Sequence, residues 1–321
     1  LEGERWSGNV GVRLVKTSQE VFQYREGGTA STPGAITGSA FGIFSPFTIT
    51  NDFTDVLPSA NFKFDVTDDL VGRLAVTKTL ARPDYSSLAG GLSLSPPASE
   101  NDVGLGTASN PNLKPIRSTN FDAALEWYYA PRALLSASVY YMDLASYVSR
   151  GQTLQQYLTF DQAHPNGYMG KYLVNAPINS KASVKGVEFA IEQPLGEHFG
   201  FSANYSYTDA KEDDGDPMLG ASKNVFNLIG YFENEKLNAR IAYNFRSNFY
   251  NGIDRLSAFN QDDTRSVSAS LGWTFNENFA VTLDGMNLTN EKLKYYAENK
   301  DRPRAIYNNG RQFYITLRAK F

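Results

Sequence analysis

The sequence predicts an all-β protein, an antiparallel transmembrane β-barrel wall of about twelve strands. Three observations carry that expectation. Segments along the whole chain alternate apolar and polar residues with period two. Short polar turns and long loops alternate between those segments. Aromatic residues gather beside the short turns.

The clearest alternation closes the chain. Phe313, Ile315, Leu317, Ala319 and Phe321 share one face, and Tyr314, Thr316, Arg318 and Lys320 the other. Such a strand has one greasy and one wet side. A bare final strand would be an open edge, whereas in an outer-membrane barrel the last strand closes against the first. Five further segments repeat the pattern. Phe121, Ala123, Leu125 and Trp127 form the apolar face of 121–128. In 199–208 it is Phe199, Phe201, Ala203, Tyr205 and Tyr207. Phe226, Leu228, Gly230 and Phe232 do the same more loosely in 225–232. Leu237, Ala239, Ile241, Tyr243 and Phe245 line 237–246, and Val267, Ala269, Leu271, Trp273 and Phe275 line 266–275. No charge falls on these faces, where it would cost about 2–4 kcal/mol at a bilayer midplane. Weaker strands are expected at 6–17, 47–65, 70–82, 134–148, 170–193 and 279–289. Several reach the roughly 9–11 residues that cross a bilayer at a tilt.

Short turns are expected at 67–69, 130–132, 196–198, 234–235 and 276–278. Long loops are expected at 18–46, 83–117, 149–169, 209–223, 247–264 and 290–310. Structureless loops beyond about 12–15 residues are uncommon in compact domains. Here they recur at every second connection, which predicts short periplasmic turns and long extracellular loops. Phe62, Phe64, Trp127, Tyr128, Tyr129, Phe199, Phe201, Tyr231, Phe232, Trp273, Phe275 and Phe279 flank the short turns. Amphipathic rings belong at headgroup level.

Bulk properties agree. The 321 residues carry a net charge of −4, which gives no reason to expect nucleic acid as a partner. Mean hydropathy is −0.38, and no apolar run has the length of a membrane-spanning helix. A barrel hides its hydrophobicity in alternation. Tyrosine (19) and phenylalanine (21) are abundant, and cysteine is absent, so neither a disulfide framework nor a thiolate metal site is expected. No cofactor is expected either. Leu1 lies a few residues ahead of a strand pattern and follows no signal peptide, which favours a fragment of a longer protein.

Several stretches resemble the barrel of TonB-dependent outer-membrane receptors. They are L-P-S-A-N-F-K-F-D-V-T-D-D-L at 57–70, T-K-T-L-A-R-P-D-Y at 77–85 and N-P-N-L-K-P at 110–115. V-K-G-V-E-F at 184–189, M-N-L-T-N-E-K at 286–292 and the terminal G-R-Q-F-Y-I-T-L-R-A-K-F at 310–321 complete the ordered set. The resemblance implies a 22-stranded barrel with a plugged lumen, the size given for such transporters. Residues 1–321 would then be the C-terminal part of its wall. The N-terminal plug, the first strands and the segment that engages the TonB complex are not recognisable here. The implied role is active import across the bacterial outer membrane of a small-molecule ligand, a carbohydrate or a siderophore. Outer-membrane lipid, lipopolysaccharide and the barrel assembly machinery are the further implied partners. The alternatives are a complete twelve-stranded passive pore and a soluble β-sandwich or propeller.

Candidate sites follow. Arg82, Asp84 and Tyr85 leave a strand at the outer mouth, where a cation, a carboxylate and a ring suit a polar ligand or, equally, a strand-capping ion pair. Tyr295, Tyr296, Arg302 and Arg304 lie in the last long loop and suit sugars or anions. Phe313, Ile315, Leu317 and Phe321 resemble the C-terminal signal read by the assembly machinery. Asn110 to Pro115 reads as a loop brace. Residues 211–216 lack the spacing and distant glutamate of a calcium loop. Catalysis is not expected. The histidines are His164 and His198, and neither a G-x-S-x-G nor an H-E-x-x-H motif occurs.

Overall fold

A computed structural model of the chain describes residues 1–89, 91–254 and 257–320. Phe321, one of the expected assembly-signal residues, lies outside the described residues. Twelve long strands follow one another in chain order within a 16-stranded sheet. They are β1 (Trp6–Glu26), β2 (Gly42–Asp65), β3 (Leu70–Ala81), β4 (Ile116–Ala130), β5 (Ala133–Thr159) and β6 (Tyr168–Leu195). Then come β7 (Phe199–Glu212), β8 (Asn224–Glu233), β9 (Leu237–Arg246), β10 (Thr264–Thr274), β11 (Phe279–Met286) and β12 (Gln312–Ala319). Each pairs antiparallel with the next, and each matches one expected strand.

Register produces the two faces. One cross-strand row reads Gly8, Phe62, Leu74, Ala123, Val139, Val187 and Tyr207. The adjacent row, pointing the other way, reads Ser7, Lys63, Arg73, Ala124, Ser138, Glu188 and Ser206. The polar row satisfies itself across strands. Arg73 donates to both carboxylate oxygens of Glu126 at 2.8 and 3.0 Å, and Tyr128 donates to Glu126 at 2.9 Å.

The apolar face has no second layer. Phe121, Leu271 and Leu317 are 47%, 48% and 78% exposed. The whole chain exposes 20028 Å², whereas a compact soluble monomer of 35.6 kDa would expose about 13,000 Å². A soluble sandwich or propeller would have buried that excess. Among the described residues, β1 and β12 share no ladder, so the sheet is an open wall. Among the described residues the last strand does not close on the first, as a complete twelve-stranded pore would require.

Short turns are built by their own side chains. Asn234 Oδ1 accepts from the amides of Lys236 and Leu237 at 3.0 and 2.8 Å. Asn276 Oδ1 does the same for Asn278 and Phe279 at 3.0 and 2.9 Å. Arg132 takes a φ of 63° after Pro131, which lets a two-residue turn reverse the chain. Rings border these turns, with Phe199 and Phe232 at 4.8 Å and Trp127 and Tyr129 at 5.2 Å.

The expected long loops differ most from the structure. β1 runs to Glu26 and β2 starts at Gly42, so most of 18–46 is ladder. β5 and β6 have 27 and 28 residues, roughly 90 Å each at about 3.3 Å per residue. A hydrocarbon core is about 30 Å thick, so these strands continue far beyond it. The sequence reads as loop there because alternation stops once neither face meets lipid. Phe249–Asp254, Ser257–Gln261, Leu293–Ala297 and Pro303–Tyr307 form a separate four-stranded antiparallel sheet.

Candidate functional site

At the outer mouth, β3 stops at Ala81 and β4 begins at Ile116, while β1, β2, β5 and β6 continue upward. The loop between them, 82–115, fills that notch from the polar side of the wall. It holds a short helix, α1 (Tyr85–Ala89), and two strands, Ser93–Ser95 and Val103–Thr107. The second strand pairs parallel with Lys171 to Asn175 of β6, an exception to the antiparallel rule of the wall.

The brace expected at Asn110 to Pro115 is the centre of this arrangement. Asn110 donates from Nδ2 to the Pro177 carbonyl at 3.0 Å, and its Oδ1 accepts from the Asn112 amide at 3.0 Å. The Pro111 carbonyl accepts from Gln19 and Asn51 at 2.9 and 3.0 Å. Lys114 and Asn179 exchange two hydrogen bonds, at 2.8 and 3.2 Å. Gln23 donates to the Leu88 carbonyl at 2.9 Å. Leu113 is fully buried and clusters with Val21, Leu88 and Val148. The backbone groups of an inward-folded loop need such partners, since each one left unpaired would cost about 1–3 kcal/mol.

Below the loop, Asp55, 6% exposed, is paired with Arg117. The Arg117 guanidinium also lies 5.8 Å from the Phe53 ring. The tip of the β1–β2 hairpin arches across to β5 and β6. The Phe160 amide donates to the Ala40 carbonyl at 3.1 Å, and Phe41 meets Tyr172 edge-on at 6.1 Å.

Between loop and wall lies a cavity of about 350 Å³ lined by Arg82, Asp84, Ser149, Arg150 and Pro177, among others. Arg82 donates to Thr17 Oγ1 at 3.2 Å. The Asp84 carbonyl receives the Ser87 amide at 3.0 Å, so this residue also caps α1. Ser149 donates to Glu212 at 2.6 Å. Burial, with the carboxylates of Asp216 and Glu212 nearby, pushes the Tyr250 phenol up. Among the described residues, neither Arg82 nor Arg150 forms an ion pair. The cavity therefore offers two cations, a carboxylate and hydroxyls to a small polar molecule. Tyr85 is 89% exposed and does not line it. Arg150 and Ser149 were missed in the sequence because they sit where a loop was expected. Only the extension of β5 brings them opposite Arg82.

The second candidate group is engaged within the four-stranded sheet. Tyr295 stacks on Phe259 at 5.2 Å and meets Tyr307 edge-on at 5.7 Å. Tyr296 is buried, and its hydroxyl accepts from Asn248 at 3.2 Å. Arg302 pairs with Glu298, and Arg304 lies 3.7 Å from Asp254. Lys300 bonds Asp262 at 2.6 Å. Burial opposes the Asp262 charge, but the Lys300 hydrogen bond and attraction outweigh it and hold that carboxyl below its usual range. Phe313, Ile315 and Leu317 stand on the apolar face, 63%, 73% and 78% exposed. His164 lies between Glu100 and Asp161 at 3.2 and 2.9 Å in an exposed loop, and His198 packs on Phe232 across a short turn.

An open antiparallel wall with a bare apolar face, short turns on one rim and a folded mouth on the other defines the class: barrel wall of outer-membrane type. The family model for the TonB-dependent receptor-like β-barrel matches residues 1–288, and the chain belongs to that family. Solved structures of similar fold include a mutant ferric enterobactin receptor from Pseudomonas aeruginosa. It is 16% identical, with a TM-score of 0.66 over 91% of this chain and 43% of that one. The siderophore receptor PirA from Acinetobacter baumannii is 15% identical, with a TM-score of 0.67 over 100% and 53%. The copper transporter OprC is 14% identical, with a TM-score of 0.67 over 100% and 46%. At such identities the likeness speaks for the fold. The chain spans about half the length of these receptors or less. No curated protein matches the sequence.

Proposed function

We propose that residues 1–321 form the C-terminal part of the wall of an active importer in the bacterial outer membrane. In this reading the extracellular loops capture a scarce small molecule, a siderophore or a carbohydrate. A plug and the TonB complex, contributed by a part of the protein outside these residues, then gate and energise its passage. The observation that carries the reading is the inward-folded loop 82–115, which places Arg82 and Arg150 around one cavity at the mouth. Two guanidiniums that, among the described residues, form no ion pair favour an anionic chelate over a neutral sugar. Similar folds named for siderophores and for copper are consistent with a metal chelate as cargo. Tyr295, Tyr296, Arg302 and Arg304 belong in this reading to the scaffold of the mouth.

The test compares full-length protein with an Arg82→Ala/Arg150→Ala double variant in cells. Uptake of a radiolabelled ferric catecholate and of a labelled oligosaccharide is measured with and without a proton uncoupler. Uncoupler-sensitive chelate uptake, lost in the variant, is expected. Uptake indifferent to the uncoupler would instead indicate a passive pore and defeat the proposal.

A further inference from the structure

Two other segments of the outer mouth meet the turn 160–167 between β5 and β6. One is the tip of the β1–β2 hairpin. It is joined there by the Phe160 amide on the Ala40 carbonyl at 3.1 Å, by the Leu158 amide on Glu26 Oε1 at 3.3 Å and by the edge-on contact of Phe41 with Tyr172. The other is the outermost part of loop 82–115. Its strands Ser93–Ser95 and Val103–Thr107 pair antiparallel as a hairpin, with 96–102 as the connecting turn. That turn opens on Pro96 and Pro97, Ser99 braces it by donating to Asp102 at 2.8 Å, and Glu100 reaches across to 160–167.

The two joints differ in chemistry. The first is backbone, ring packing and one carboxylate acceptor. The second is an imidazole set between two carboxylates. His164 Nε2 lies 3.2 Å from Glu100 Oε2, and its Nδ1 lies 2.9 Å from Asp161 Oδ1. The same Asp161 oxygen accepts the His164 amide at 2.7 Å, which fixes that side of the contact locally. The Tyr168 ring, from the start of β6, is 4.8 Å from the imidazole. The titratable groups facing His164 are therefore Glu100 from the 96–102 turn, Asp161 from its own turn and the Tyr168 phenol. Among the described residues, Glu100 and Asp161 form no other ion pair.

A neutral imidazole has one N–H and one bare lone pair. It can serve one of these carboxylates and turns its lone pair on the other. Only the imidazolium carries a proton for each, and an aromatic ring beside it suits a cation. We propose that His164 is an acid-tightened latch on the outer mouth. When charged, it ties the 96–102 turn to 160–167. When neutral, it keeps its bond to Asp161, loses Glu100 and frees the turn. The strand 103–107 is held to β6 by its own ladder, so the motion is confined to the outer end of the hairpin. Histidine is the side chain whose charge changes between about pH 5 and 8. The latch is thus closed at the acid end and is lost as pH rises through the imidazole range. The inference rests on the geometry of the mouth, and not on import or on the identity of the cargo.

The experiment uses full-length receptor, free of other cysteines and reconstituted in lipid, with nitroxide labels on Ala98→Cys and Ala163→Cys. Both positions are exposed. Dipolar spectroscopy then reads the ratio of close to distant label pairs. Between about pH 8 and pH 5.5 that ratio should rise roughly two- to fivefold, the range of an exposed ion pair. His164→Gln and Glu100→Gln should each abolish the rise. His164→Lys, charged at both pH values, should hold the pair close at both, a rescue that a merely structural histidine would not give. The same pH response in His164→Gln, or no response in the unaltered chain, would overturn the proposal. Heat-modifiable migration of each variant establishes that it is folded. A pH-driven latch on a receptor that imports nothing would leave this inference standing and defeat the functional one.

Discussion

Leu125→Arg asks most of the wall. Leu125 sits on the apolar face of β4, 53% exposed, with Gly72 and Ala137 as cross-strand partners. It lies five residues from the end of β4, about 13 Å up a wall tilted near 40° and so close to the bilayer midplane. Neither partner offers a polar atom beyond backbone already committed to the ladder. An arginine there should cost about 2–4 kcal/mol, a shift of roughly 30- to 900-fold in the folding equilibrium. Ser138→Arg is the matched control. Ser138 lies on the polar face between Ala124 and Glu188, so a new guanidinium meets water and a carboxylate, and the change should stay within about 1 kcal/mol. The assay is urea titration of refolding into phospholipid vesicles, followed by heat-modifiable migration. The same substitution at Trp127, about 8 Å up the wall and nearer the turn, should cost less than at Leu125, between the midplane value and the roughly 0–1 kcal/mol of the interface. Equal penalties at Leu125 and Trp127 would refute the reasoning, because a protein interior has no reason to grade cost by bilayer depth.

Three further outcomes follow from the mouth and the rims. Leu113→Ala removes the fully buried anchor of loop 82–115. It should loosen that loop by about 2–5 kcal/mol, read as faster amide exchange at 103–114 with the wall unchanged. Asp55→Asn leaves the Arg117 guanidinium without its carboxylate. A loss of about 3–5 kcal/mol is expected, seen as a lower urea midpoint that Asp55→Asn/Arg117→Met largely restores. The Asp262 carboxyl is held below its usual range in the folded protein. Its contribution is therefore present at neutral pH and down to the ordinary carboxylate range, and is lost as pH falls through the depressed value. Proteolysis of the extracellular sheet should rise at that acid limb, and Asp262→Asn should abolish the limb.

The wall was legible because a bilayer imposes a simple rule. Leu271 and Leu317 alternate with Ser270 and Thr316 since one side meets hydrocarbon and the other water. Turn residues such as Asn276 and Pro131 encode reversal locally. The upper ends of β5 and β6 were not legible. Arg150 and Tyr172 lie where neither face touches lipid, and the burial of Tyr172 depends on a loop that folds back from 82–115. The brace was visible as Asn110, Pro111 and Pro115, but its partners Gln19, Asn51 and Asn179 are 60 or more residues away in sequence. Tyr296 read as a ligand contact because an aromatic in a loop resembles a binding residue. The register of a second small sheet made it a packing residue instead.

Side-chain environment along one strand gives the shortest route to the central claim. The 321 residues contain no cysteine, so nitroxide labels can be placed singly at positions 121 to 126 of the reconstituted receptor. Labels at 121, 123 and 125 should collide readily with oxygen dissolved in the bilayer, and labels at 122, 124 and 126 with a water-soluble nickel chelate. A scan without that two-residue alternation, or odd positions shielded from both reagents, would contradict a wall in contact with lipid.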